Sequence, residues 1–84
     1  MMVRIYVLNV PEFLPLVDAA RLIDHAEVKN GEYYFRIDAR DELVFERKAM
    51  KMKPAVWYGA FTGGLDGEIV EFGRDTVRVV STKQ

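Results

Sequence analysis

KPAVWYGAFTGGLDGEIVEF, residues 53–72, gathers four of the six glycines and the only tryptophan of the chain, and two readings of it lead to different folds. As a helix it starts well, because Pro54 falls in the first turn, where its missing N–H would have had no partner. It also stops well, because Gly63-Gly64 offers a residue free to take positive φ beyond the end. Val56, Trp57, Ala60 and Phe61 then share one face, and Leu65 closes over the last turn. Gly59 costs such a helix about 1 kcal/mol against alanine, which is usually tolerated where another backbone comes close. As a strand, the apolar run Ala55 to Phe61 would be buried on both faces, and periodicity alone does not exclude it. Start and stop signals favour the helix.

Outward from this stretch, Gly67 opens a strand with Ile69, Val70 and Phe72, and Gly73-Arg74-Asp75 turns it into another carrying Val77, Val79 and Val80. Upstream, Val3, Ile5 and Val7 alternate with Arg4, Tyr6 and Leu8, so residues 2–8 form a strand with one apolar face. Pro11 and Pro15 cannot share one regular helix, which predicts a turn at 11–14 and a helix from about Pro15 to Asp24 with Leu16, Ala19, Ala20 and Ile23 inward. Asn30-Gly31 is a type I′ hairpin signal. In the following arm Tyr33, Phe35 and Ile37 face one way and Tyr34, Arg36 and Asp38 the other. Asp38–Asp41 reads as the next turn and 42–48 as a strand with Leu43 and Phe45 inward; a helix over 40–52 is the alternative, but its apolar positions do not hold to one face.

The size, 84 residues, implies one domain spanning 1–84 with a polar tail at 81–84. The fold class expected is α+β: an antiparallel sheet of about five strands with one longer and one short helix on one face, in ferredoxin-like order (β-α-β-β-α-β plus one strand). The sheet's second face would then carry Tyr6, Leu8, Tyr34, Val44 and Val80 among Arg4, Arg36, Asp38 and Glu46, too apolar to stay wet. Pairing with a second copy is the economical cover, so a homodimer is expected.

Charge is nearly balanced, 12 Lys+Arg against 13 Asp+Glu, so nothing global attracts the chain to nucleic acid or to an anionic membrane. The absence of cysteine removes disulfides, thiolate nucleophiles and thiolate metal sites, and fits an intracellular protein. No run reaches transmembrane length and no signal peptide is recognisable, so the chain reads as cytoplasmic and complete. His25, the only histidine, lacks a recognisable reactive partner or ligand spacing and reads as a helix-end residue; no metal and no cofactor are expected.

No spacing demands a particular chemistry. The leading reading is a small non-catalytic assembly or interaction module that self-associates. The alternative is a small-molecule-binding or isomerase-type domain, with an apolar or aromatic ligand in a dimer pocket lined by Tyr34, Trp57 and Tyr58 and with Arg36, Arg47 or Asp66 as polar contact. Nucleic-acid binding through the basic-aromatic stretch 47–58 ranks third: Arg47, Lys48, Lys51 and Lys53 lead into Trp57 and Tyr58, yet the net charge is negative. Thr62-Gly63-Gly64 is no phosphate cradle, since its glycines follow a helix rather than precede one.

Overall fold

The computed structural model describes residues 2–61 and 63–81; Thr62 and residues 82–84, most of the expected polar tail, lie outside the described residues. The fold is α+β, and the described residues form seven strands in two antiparallel sheets and three short helices. Strands β1 (Met2–Leu8), β2 (Ala26–Lys29), β3 (Tyr34–Arg40) and β5 (Leu65–Asp66) form one sheet in the order β2-β3-β1-β5, and β4 (Glu42–Glu46), β6 (Glu68–Phe72) and β7 (Thr76–Val80) form the other in the order β4-β7-β6. The helices are α1 (Leu14–Arg21), preceded by a 3-10 turn at Pro11–Phe13, α2 (Arg47–Met50) and α3 (Pro54–Gly59).

Two single residues divide what was expected to be one five-stranded sheet. Asp41, with φ of 71°, separates β3 from β4, and Gly67, with φ of 156°, separates β5 from β6. Each lies in the left-handed half of φ space, which turns an extended chain out of its plane within one peptide. Both corners lean on the same residue. Val80 stands opposite Glu42 in one ladder and Glu68 in the other, and the Ser81 N–H donates to the Asp41 carbonyl at 3.0 Å. A Cβ on Gly67 would come within 2.9 Å of the Val80 oxygen, so the close approach and the positive φ both select glycine.

The turn expected at Asp38–Asp41 is therefore not one, because β3 continues through Arg40 and only Asp41 bends. The strand expected to reach residue 48 stops at Glu46; one further bond in the same register, from the Arg47 N–H to the Asp75 carbonyl, closes the ladder as α2 begins. Neither Asn30 nor Gly31 has positive φ, so the type I′ turn is also corrected. The loop opens wider because Asn9 captures it: the Asn9 N–H donates to Tyr33 O at 2.8 Å, which pairs Tyr34 with Leu8 of β1 beyond the end of β2. The first helix ends at Arg21 rather than Asp24, and at eight residues it is scarcely longer than α3 with six.

The disputed central stretch is helical where the proline predicts a start. Gly59 closes α3, and no backbone crowds it: a Cβ there would meet only the Phe13 ring, at 3.9 Å. One continuous core joins both sheets. Val3, Ile5 and Val7 of β1 and Phe35 and Ile37 of β3 pack with Leu16, Val17 and Ala20 of α1. Trp57 and Phe61 at the other end stand edge to face, 5.2 Å between ring centroids, and Phe61 meets Phe45 and Phe72 of the second sheet at 5.9 and 5.6 Å. Such pairs contribute about 0.5–1.5 kcal/mol each beyond their area. Among the described residues, no helix is long and apolar enough to cross a membrane.

Candidate functional site

Strand alternation turns Val3, Ile5 and Val7 into the core and leaves Arg4, Tyr6 and Leu8 on the opposite, outer face of the four-stranded sheet. Register decides their neighbours. Arg4 lies between Asp38 of β3 and Asp66 of β5, Tyr6 is opposite Arg36, Leu8 is opposite Tyr34, and Glu27 and Lys29 of β2 continue the two polar rows. Directly opposed residues of antiparallel strands share a face, so these side chains form one surface.

At its centre Asp38 is only 5 % exposed. Its Oδ1 accepts from Arg4 Nε at 2.9 Å, and its Oδ2 lies 3.2 Å from Arg36 Nη2. The Asp38 carboxylate, by hydrogen bond and charge, raises the pKa of the Arg4 guanidinium above its ordinary value, so the arginine stays cationic. One carboxylate thus fixes two guanidinium groups while neutralising only one charge. Arg36 Nε is shut off from solvent without an acceptor, although the side chain as a whole is about a third exposed. Tyr34, 44 % exposed, and Leu8, 39 % exposed, flank the pair on the apolar side. Asp66, also exposed, makes no ion pair among the described residues. Gly63 seals one edge, since a Cβ there would come within 2.6 Å of the Tyr6 oxygen and 3.4 Å of the Tyr34 ring.

Of the residues singled out from sequence, Tyr34, Arg36 and Asp66 therefore belong to this face. Arg47, Trp57 and Tyr58 do not. Arg47 is a clamp on the β6–β7 turn: its Nε donates to Arg74 O at 2.9 Å, Nη1 to Met52 O at 3.0 Å, and Nη2 to Asp75 Oδ1 at 2.8 Å. The hydrogen bond from Arg47 holds the Asp75 carboxyl below its ordinary pKa, with Lys48 and Arg74 adding to the effect. Trp57 is fully buried and its indole N–H donates to Gly73 O at 3.0 Å, fastening the same turn. Tyr58 is exposed and leans on Phe72, 5.4 Å between centroids.

Alternation along β1 and β3 places Arg4, Tyr6 and Asp38 on the face expected to pair with a second copy, but they are not among the six residues singled out for ligand binding. His25 follows α1 by several residues, is exposed, and its Nε2 lies 3.0 Å from Glu42 O, which fits a donor role for that nitrogen. It borders a shallow depression of about 280 Å³ with Asp24, Glu27 and Arg40; another, about 400 Å³, lies between Pro15, Ala19 and Leu22 of the α1 region and Ala49 and Met50. Neither depression contains any of the six residues singled out for ligand binding. No cluster of three or more His, Asp or Glu able to hold a metal occurs among the described residues. Comparison of the chain with protein-family models and with curated proteins finds no match.

Proposed function

We propose that the protein is a small non-catalytic interaction module that pairs with a second copy of itself through the outer face of the four-stranded sheet. The observation that carries this reading is the Arg4–Asp38–Arg36 group: two oriented guanidiniums, one with a solvent-excluded N–H that has no acceptor, set beside Leu8 and Tyr34 on a sheet face opposite the core. Arginine and tyrosine are the residue types enriched at interface centres, and the partly exposed guanidinium groups of Arg4 and Arg36 can donate to a partner's acceptors. The same face holds an acceptor in Asp66, which makes no ion pair among the described residues, so cations and carboxylates on this face can cross-pair between two copies, as an isologous two-fold contact requires. Sedimentation velocity at micromolar concentration should give about twice the chain mass, and Tyr34→Glu with Arg36→Ala should give the monomer. A concentration-independent monomer of the unaltered protein would defeat the proposal.

The same pair of partly exposed guanidiniums favours a second reading, a small carboxylate- or phosphate-bearing ligand held by Arg4 and Arg36 with Tyr34 as its apolar wall. A thermal-shift screen against anionic aromatic metabolites separates the two, because a ligand that binds only the native state raises its Tm whereas dimerisation makes Tm depend on protein concentration.

A further inference from the structure

The near-neutral total charge conceals a strong separation. No Asp or Glu occurs between Arg47 and Leu65, and the fold adds Arg74 to this carboxylate-free stretch. Arg47, Lys48, Lys51, Lys53 and Arg74, set against Asp75, amount to a local +4, while the rest of the chain, seven cations and twelve carboxylates, carries −5. Lys48 and Arg74 lie close enough together for both to act on the Asp75 carboxyl. Lys51 and Lys53 are exposed on either side of the buried Met52. None of these lysines, nor the Arg74 guanidinium, has an ion-pair partner among the described residues.

The patch is held rigidly. Arg47 and Trp57 bind three carbonyls and a carboxylate spread over the 47–53 turn and the β6–β7 turn, so the cations of the two segments keep a fixed spacing. Lys51 itself occupies the left-handed region, φ of 58°, at the C-cap of α2, a position where glycine or asparagine is the unstrained choice. A lysine there sacrifices backbone ease and adds a charge, which directs attention to function. On the adjoining turn of β6, Phe72 is 39 % exposed and carries Tyr58, 46 % exposed, against its ring. Fixed cations next to exposed aromatic faces suit a flexible polyanion with stackable bases.

We propose that this surface binds single-stranded nucleic acid, with Lys48, Lys51, Lys53 and Arg74 on the phosphates and Tyr58 stacking on a base. It is separate from the outer face of the four-stranded sheet and does not depend on the pairing proposed there.

Fluorescence anisotropy of a labelled oligothymidylate, titrated with the protein at several salt concentrations, tests it. Four phosphate contacts give a slope of log K against log salt of about −3. Lys51→Gly with Lys53→Ala should weaken binding about tenfold or more while leaving Tm unchanged or higher, and Tyr58→Ala should weaken it about tenfold at constant salt slope. Absence of binding at low salt overturns the proposal, as does binding insensitive to the lysine pair. Equal binding to phosphatidylserine vesicles, with Tyr58→Ala silent in both assays, would also overturn it, by showing a charged surface without base stacking.

Discussion

Arg36 and Arg47 both face an aspartate, and the two sites have opposite economies. Arg47 is 16 % exposed and every one of its side-chain nitrogens has an acceptor, two of them backbone carbonyls. Arg36 is 34 % exposed, shares its aspartate with Arg4, and leaves Nε unfilled. The first arrangement is closed and belongs to the fold. The second is open: its guanidinium is partly exposed and one of its N–H groups has no acceptor. A ring of satisfied carbonyls is thus a better mark of a structural arginine than the presence of an acidic neighbour.

The largest test of that contrast removes the other half of the clamp. Trp57→Ala empties a fully buried site and abandons the Gly73 carbonyl, and should cost about 3–5 kcal/mol by urea denaturation, enough to unfold a domain of this size. Arg47→Ala strands three acceptors, two of them carbonyls, and should cost about 2–4 kcal/mol. Arg36→Ala, measured at low protein concentration, should cost less than about 1 kcal/mol, since Asp38 keeps Arg4 and an orphaned donor disappears. Equal losses for the two arginines would erase the distinction between closed and open sites.

A pH titration sharpens it further. The folded Asp75 carboxyl is held below its ordinary pKa of 3.8, so its contribution to stability is present above that value and is lost as pH falls through the lower, folded value. As pH falls below about 4 the unaltered protein should therefore lose Tm more steeply than Asp75→Asn, and parallel curves would show that the clamp does not depend on this charge. The smallest change expected is a gain: the methyl of Gly59→Ala meets only the Phe13 ring, at 3.9 Å, and should stabilise by up to about 1 kcal/mol, read as a rise in Tm of a few degrees.

Local chemistry made several elements legible. Alternation located β1 and its inward Val3, Ile5 and Val7; Pro54 located the start of α3; and the Gly73-Arg74-Asp75 turn placed β6 beside β7. The division into two sheets was not legible, because it depends on which strand lies next to Asp41 and Gly67, and Val80 is dozens of positions from the first of these. Asp38 reads both as the last outer residue of its strand and as the first of a turn, and the cross-strand Arg4 keeps it in the strand. For the site, Tyr34, Arg36 and Asp66 could be picked out as polar or aromatic, but nothing in the sequence distinguishes Arg36 from Arg47. That difference resides in the carbonyls of Met52 and Arg74, and a backbone acceptor carries no residue type.

The position of β7 between β4 and β6 has a consequence for how the chain is made. Among the described residues β4 pairs with β7 alone, through partners between 30 and 38 positions apart, whereas β1, β2 and β3 can assemble from residues that have all appeared by Arg40. During synthesis from the N-terminus the four-stranded sheet can largely take shape on its own, while Leu43 and Phe45 wait as an unmatched apolar edge for Val77 and Val79 to leave the ribosome. The interval is when a nascent chain is most open to capture by a neighbouring copy, and slower translation between Glu46 and Thr76 lengthens it.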